Sequence, residues 1–192
     1  MPKLYFRYGA MNSSKTANLI MTAHNYKSLN RNVFILKPSI DTRFDTKKIV
    51  SRTGMEVDVD MLLDKDSNIK NIVNKNIECI LVDEGQFLTE NLVNQLKDIS
   101  VEIPVIVYGL RTDFRSRLFE GSKRLFELAD SIEEIKTICS TCNKKATINA
   151  KFISLGNGNK SIVYEGDNQI DLGSEEKYIS LCYSCWKKNK NE

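Results

Sequence analysis

Runs of consecutive apolar residues recur along the first two thirds of the chain. They lie at residues 33–36, 79–82 and 104–108, after a largely apolar segment at residues 3–8. Runs without polar alternation are typical of strands covered on both faces, as in a parallel sheet. Apolar residues at helical spacing occupy the segments between and after them, at residues 15–29, 89–99 and 122–129. This alternation predicts an α/β domain with a central parallel sheet and right-handed crossovers.

A phosphate-binding loop is predicted where the first strand ends. The octapeptide reads Gly9, Ala10, Met11, Asn12, Ser13, Ser14, Lys15 and Thr16, and it opens the first helix. Backbone N–H groups of such a P-loop cradle phosphate, helped by the positive end of the helix. Lys15 would reach the β- and γ-phosphates and Thr16 would bind Mg²⁺. Ser14 stands where a glycine is usual, and an ordinary helix-capping turn is the alternative.

An acidic pair follows the strand at residues 79–82, in the stretch Asp83, Glu84, Gly85, Gln86 and Phe87. The carboxyl ends of parallel strands are where α/β sheets bind ligands. Asp83 therefore matches the carboxylate that holds Mg²⁺ in P-loop enzymes, and Glu84 could accept a proton from a nucleophile. The alternative is an ordinary acidic pair beside a helix N-terminus.

The polar stretch at residues 39–57 is interpreted as a solvated loop. It carries Arg43 and Arg52, and either could close over bound phosphates.

Charge and composition narrow the class of protein only modestly. Hydrophobic residues make up 41% of the 192 positions, and the net charge is +3. This near-balance gives no indication of a nucleic-acid or membrane partner. No apolar run is long enough to span a bilayer, and the N-terminus enters a strand without a signal-peptide pattern. We therefore expect a cytoplasmic protein. The one histidine, His24, is interpreted as structural.

Four of the five cysteines form two C-x-x-C pairs near the C-terminus, Cys139 with Cys142 and Cys182 with Cys185. Strand-like segments surround them, at residues 146–155, 162–164 and 177–181. Because neither pair is expected to begin a helix after a βαβ strand, and because there are two pairs, a redox function is disfavoured and a closed, structural Zn²⁺ site is predicted. The fifth thiol, Cys79, lies in an apolar run and is interpreted as buried and inert.

Taken in order, these motifs resemble the zinc-containing thymidine kinases of the human cytosolic and bacterial type. The resemblance also rests on residues 108–114, Tyr-Gly-Leu-Arg-Thr-Asp-Phe, and on Tyr178 before the second cysteine pair. It implies a RecA-like P-loop domain at residues 1–136. A small zinc-binding β domain, carrying a substrate-closing loop called the lasso, would occupy residues 137–192.

The resemblance further implies transfer of the γ-phosphate of ATP to the 5′-hydroxyl of thymidine, with Glu84 as the general base. The P-loop, Lys15 and residues 83–86 would bind MgATP. The thymidine site would include Met11, Phe87, Leu110, Phe114, Tyr178 and the lasso residues Ile170, Asp171, Leu172 and Gly173. Phe119 matches a further substrate position but could equally be core. A homotetramer inhibited by thymidine triphosphate is implied as well.

Two other functions are compatible with the same motifs. A P-loop ATPase with a zinc ribbon could act on nucleic acid, although no basic stripe accompanies the cysteines. A non-catalytic nucleotide sensor, stabilised by zinc, would need the P-loop but no general base at Glu84.

Overall fold

The computed structural model describes residues 2–41, 47–71, 76–154, 160–166 and 177–189. Its strands in the first two thirds of the chain are β1 (Leu4–Gly9), β2 (Val33–Pro38), β3 (Lys48–Val50), β4 (Glu56–Asp58), β5 (Met61–Leu63), β6 (Cys79–Val82), β7 (Val105–Leu110) and β8 (Ser131–Glu134). The helices of this part are α1 (Lys15–Ser28), α2 (Glu90–Ile99) and α3 (Glu120–Leu128). A 3₁₀ turn at Gly85–Phe87 separates β6 from α2.

Six of the described strands form one parallel sheet in the order β5-β2-β6-β7-β1-β8. The predicted α/β architecture with a central parallel sheet is therefore confirmed. β7 lies between β1, which leads into the phosphate loop, and β6, which leads to Asp83. All these strands run the same way, so their carboxyl ends share one edge of the sheet.

The apolar runs are buried on both faces, as predicted. In β6, Ile80 and Val82 face the core under α2 and α3, while Cys79 and Leu81 face the core under α1. Burial of every β6 side chain explains why this strand lacks the alternation of a half-exposed one. The inert, buried interpretation of Cys79 fits this position, because burial raises the pKa of its thiol to about 11.

The sequence pattern predicted α1, α2 and α3 close to their observed bounds. Thr89 caps α2, since its hydroxyl oxygen accepts a hydrogen bond from the Leu92 N–H at 3.3 Å. Such a cap satisfies an N–H that the first helical turn leaves without a partner. None of the described helices is both long and apolar enough to cross a membrane.

The interpretation of residues 39–57 as a solvated loop was wrong in part. β3 and β4 pair there as a short antiparallel hairpin, and β5 follows on an edge of the main sheet. The hairpin contributes Ile49, a buried residue of the core under α1. Each strand of the hairpin has only three residues and is surrounded by charged ones, so its alternation of apolar and polar residues is too short to recognise. β8 was also missed, since it carries two glutamates at an edge.

The C-terminal part has its own small sheet. Within the described residues, β9 (Ile148–Ser154) pairs antiparallel with β10 (Lys160–Val163) and with β11 (Tyr178–Leu181). A short helix, α4 (Tyr183–Lys188), follows β11. We call β9, β10, β11, α4 and the four cysteines the cysteine module. Its core is small, comprising the cysteines and a few apolar side chains.

Truncation of Leu81 tests the double-sided burial of the sheet. Leu81 is fully buried in β6, so Leu81→Ala should lower the free energy of unfolding by about 2–5 kcal/mol. Leu29→Ala is the matched control, because Leu29 is 73% exposed and should change it by less than about 0.5 kcal/mol. Urea denaturation followed by circular dichroism measures both. Equal losses in the two variants would contradict the assigned core.

Candidate active site

The loop after β1, which is predicted to bind phosphate, contains two residues with a strained backbone. Asn12 has a φ of 60° and Ser14 a φ of 59°, both in the left-handed region that L-residues seldom adopt. Ser14 occupies the position where glycine is usual, and its backbone takes the conformation that a glycine would favour. Gly9 is required by close packing, because a Cβ there would lie 2.5 Å from the Ile135 carbonyl oxygen.

Lys15 begins α1 and folds back over the loop. Its Nζ donates to the Ala10 carbonyl at 2.8 Å and to the Ser13 hydroxyl at 3.4 Å. Ser13 is itself buried. The ammonium group therefore sits within the loop, at the position from which a lysine on a flexible stem reaches a bound phosphate.

Thr16 and Asp83 bring the two predicted motifs together. The Thr16 hydroxyl donates to an Asp83 carboxylate oxygen, with the two oxygens 3.3 Å apart. Mg²⁺ holds octahedral oxygen ligands at 2.0–2.1 Å, so neighbouring ligands lie about 3 Å apart. The hydroxyl and carboxylate therefore fit two adjacent Mg²⁺ positions in both chemistry and spacing.

Glu84 is held by the neighbouring glutamine. The Gln86 amide nitrogen donates to the Glu84 carboxylate, and the Gln86 amide oxygen accepts the Leu110 N–H at 2.9 Å. Gln86 is 2% exposed, so its side chain is a buried bridge between the acidic turn and the end of β7. Glu84 also has a positive φ, 51°, in the left-handed region that L-residues seldom adopt.

One cavity joins these groups. It has a volume of about 180 Å³, and both motifs line it. The lining residues from the predicted set are Met11, Asn12, Ser13, Ser14, Lys15, Thr16, Asp83, Glu84, Leu110 and Arg52. Arg52 thus lines the same cavity as the predicted phosphate loop. Arg43 lies outside the described residues. Gly85 and Gln86 follow the cavity-lining Glu84, and the Gln86 side chain accepts the Leu110 N–H. The Ala10 carbonyl accepts the hydrogen bond from Lys15.

The cavity also contains residues that the sequence did not single out. Lys37, at the end of β2, forms an ion pair with Asp41 at 3.2 Å, and both residues are buried and line the cavity. A charged residue at the carboxyl end of a buried strand is the signal that marked Asp83, and it could have marked Lys37. Ser51 and Thr53 belong to the missed hairpin segment.

The aromatic residues predicted near the substrate lie in two groups. Phe87 and Phe119 pack edge to face, with ring centroids 5.9 Å apart, and Phe119 is buried. Phe114 is buried under Lys151, whose Nζ lies 5.3 Å from the ring centroid. Tyr178 pairs with Lys151, the residue over the Phe114 ring, in the register of β11 with β9. The lasso residues Ile170, Asp171, Leu172 and Gly173 lie outside the described residues.

Arg115 joins the Phe114 group to the segment that precedes the predicted lasso. Its guanidinium donates to the Gly166 carbonyl at 2.7 Å and to the buried carboxylate of Asp113. Asp113 also accepts the backbone N–H groups of Arg115 and Arg117. The loop after β7 is therefore held by a hydrogen bond to the segment that follows β10.

The four predicted zinc ligands converge. The sulfur atoms of Cys139, Cys142, Cys182 and Cys185 all lie within 4.8 Å of one another. Cys142 Sγ is 3.7 Å from Cys182 Sγ and 3.6 Å from Cys185 Sγ. Tetrahedral Zn²⁺ with Zn–S bonds of 2.3 Å requires sulfurs about 3.8 Å apart. The cluster therefore fits a Zn²⁺ ion with every position filled by protein.

The surroundings already favour thiolate at one of these sulfurs. Burial raises the pKa of the Cys139 thiol, but hydrogen bonds from Thr141 and neighbouring N–H groups outweigh it and lower the pKa to about 6. Such N–H donors are the usual outer contacts of metal-bound cysteine. The second pair does begin a helix, since Cys182 caps α4 and accepts the Cys185 N–H, but the preceding strand β11 is antiparallel to β9 and so is not part of a βαβ unit. Convergence of all four sulfurs supports zinc.

Fold and site together define a P-loop nucleotide-binding protein of the phosphotransferase type with a four-cysteine cluster that fits a metal ion. The thymidine kinase family model matches residues 2–186, so the chain belongs to the thymidine kinase family, whose members are ATP-dependent phosphotransferases. A thymidine kinase of Lactiplantibacillus plantarum is 43% identical over 187 residues, covering 95% of this chain and 94% of that protein. One of Enterobacteria phage T4 is 43% identical over 193 residues, covering 97% and 96%.

Among solved structures, a Pif1 helicase from Candida albicans covers 71% of this chain and 36% of its own, at 12% identity and a TM-score of 0.40. We draw nothing from a likeness at that level.

Loss of one sulfur should empty the metal site. We expect Cys182→Ser to reduce bound zinc from about one ion per chain to below about a tenth, because a structural site needs all four ligands. Cys79→Ala is the matched control, since Cys79 is buried in the main sheet and outside the cluster. Metal analysis after gel filtration measures both. Full zinc content in Cys182→Ser would rule out the cluster as the zinc site.

Proposed function

We propose that the chain transfers the γ-phosphate of ATP to the 5′-hydroxyl of thymidine, giving dTMP for nucleotide salvage. The observation that carries the proposal is the meeting of the phosphate loop with Asp83 and Glu84 around one cavity. Family membership supplies the substrate class, since the relatives are named thymidine kinases. The fold alone would not identify the molecule that accepts the phosphoryl group.

The phosphate loop and Lys15 bind the phosphates of ATP in this proposal. Backbone N–H groups and the N-terminus of α1 favour the anion, and Lys15 exchanges its contact with Ala10 for the β- and γ-phosphates. Thr16 and Asp83 would hold Mg²⁺, whose charge would support phosphoryl transfer. Gly9 lets the loop pack closely enough for this geometry.

Glu84 is the proposed general base, accepting the proton of the attacking 5′-hydroxyl. It lines the cavity beside the phosphate loop, and Gln86 orients its carboxylate. A base held by a buried partner keeps its direction without reorganisation during the reaction. Positioning and electrostatics then supply most of the acceleration.

Thymidine would occupy the side of the cavity lined by Met11 and Leu110. Phe87, Phe114 and Tyr178 are proposed to surround the nucleoside, with Phe119 packed behind Phe87. Backbone atoms of the lasso, residues 170–173, are proposed to hold the thymine. Arg115 supports this placement, because it fixes Gly166, four residues before the lasso begins, beside Phe114.

Several further properties belong to the same proposal. We propose domain limits at residues 1–136 and 137–192, a structural role for zinc, a homotetrameric assembly and feedback inhibition by thymidine triphosphate. We also propose a cytoplasmic location. The fit of the four sulfurs to a closed tetrahedral site supports the structural role, since no position is left for a reacting group.

The acceptor dependence of ATP consumption tests the proposal against its alternatives. We expect ADP release to require thymidine, and to be unaffected by single-stranded DNA. Release driven by DNA would identify a nucleic-acid ATPase instead, and no release with either partner would indicate a nucleotide sensor. A coupled assay with purified protein, MgATP and each partner in turn distinguishes the three.

Glu84→Gln tests the proposed base. The amide keeps the size of the side chain but cannot accept the proton, so kcat should fall by about 10²-fold or more. Calorimetric affinity for MgATP should stay near that of the wild type. Glu102→Gln is the control, because Glu102 is exposed on the loop after α2 and should leave kcat unchanged. A kcat near the wild-type value in Glu84→Gln would remove Glu84 from the mechanism.

A further inference from the structure

Two buried polar side chains of the cysteine module hold the backbone of the phosphate loop at Met11. We infer that Asn149 and Ser180 are positioning residues for nucleotide binding, acting through Met11 although they lie more than 130 positions along the chain from it. The inference rests on the proposed function for the identity of the nucleotide. The cysteine module would then serve the ATP side of the site as well as the nucleoside side.

Asn149 makes a two-way contact that fixes its own orientation. Its amide oxygen accepts the Met11 N–H at 2.8 Å, and its amide nitrogen donates to the Thr112 carbonyl at 2.9 Å. A reversed amide would place donor against donor and acceptor against acceptor. Asn149 is 3% exposed, so neither contact competes with bulk water. The side chain thus joins the phosphate loop to the loop after β7.

Ser180 holds the other backbone group of the same residue. Its hydroxyl donates to the Met11 carbonyl at 2.5 Å, and Ser180 is 2% exposed. Asn149 and Ser180 are directly opposite each other in the pairing of β9 with β11. One cross-strand pair therefore binds both the N–H and the carbonyl of Met11. Thr137 adds a third contact, donating to the Asn12 carbonyl at 3.1 Å.

The loop needs such external support because its backbone is strained. Asn12 and Ser14, the residues on either side of Ser13, both have positive φ. Non-glycine residues in that region cost about 1–3 kcal/mol each and persist only where surrounding contacts determine them. Two of the contacts act on Met11, the residue before the first strained position, and the third acts on Asn12, which is that position. They hold the loop in the conformation that presents its N–H groups to phosphate.

The positioning pair is continuous with the cysteines. The Ser180 carbonyl accepts the Ser140 N–H at 2.8 Å, which ties the first C-x-x-C turn to β11, and Cys182 follows two residues later. The Thr147 N–H donates to the Leu181 carbonyl at 2.9 Å in the same region. Order at the four sulfurs is thereby linked to the backbone of Met11 through a short run of hydrogen bonds.

Alanine variants with matched controls test the inference. We expect Asn149→Ala and Ser180→Ala each to weaken MgATP binding about tenfold, because each leaves a Met11 backbone group without its partner. Because Met11 also lines the side of the cavity proposed for thymidine, the KM for thymidine should rise as well. A general loss of stability, as in the control variants below, should leave both values near those of the wild type. Isothermal titration calorimetry measures MgATP binding, and steady-state kinetics measures the KM for thymidine.

Gln95→Ala and Ser100→Ala are the controls. Gln95 also bridges two backbone segments from a buried side chain, accepting the Ile69 N–H and donating to the Ser67 carbonyl. Ser100 is a buried hydroxyl that donates to a carbonyl, that of Lys97. Both lie on or beside α2, outside the phosphate loop. Their stability losses should match those of the test variants, while MgATP affinity stays within about twofold of the wild type.

Two results would overturn the inference. One is unchanged MgATP affinity in both Asn149→Ala and Ser180→Ala, and the other is an equal loss of affinity in the controls. All titrations are made at a temperature where circular dichroism shows each variant folded. Failure of the proposed function would look different, since wild-type protein would then bind MgATP without thymidine-dependent turnover.

Discussion

The hydrogen bond between Thr16 and Asp83 depends on a constraint that governs the main sheet, the common direction of its strands. Parallel β1 and β6 must both end at the same edge, although β7 lies between them. The phosphate loop and the acidic turn therefore meet across the width of one strand. Their proximity follows from topology, so short loops suffice to complete the site. Lys37 reaches the cavity for the same reason, at the end of β2.

The elements that the sequence predicted well are those whose residues are constrained on all sides. Cys79–Val82 and Val105–Leu110 are covered on both faces, and burial leaves only apolar residues acceptable there. The loop before Lys15, Asp83 and the cysteines could be singled out from the sequence because phosphate and metal binding would require particular residues at particular spacings. The hairpin at Lys48–Val50 and Glu56–Asp58 was missed because its strands are short and half-exposed.

Asn149 and Ser180 had no recognisable signal either. Each is an ordinary polar residue in a short strand, and its partner lies in a distant part of the chain. Only the paired register of β9 and β11 places both beside Met11. Contacts of this kind are set by tertiary packing, which local patterns do not encode. They also support a loop that contains two left-handed, non-glycine residues.

The charged strand β8 has a consequence for how the protein behaves at high concentration. Ser131–Glu134 forms one edge of the described six-stranded sheet, and an uncovered edge is a template on which another polypeptide can add a strand. Glu133 and Glu134 are held there by ion pairs with Arg7 and Lys145. An incoming backbone would have to strip water from these carboxylates and break their ion pairs. This side of the sheet is thereby protected against fibril-like growth.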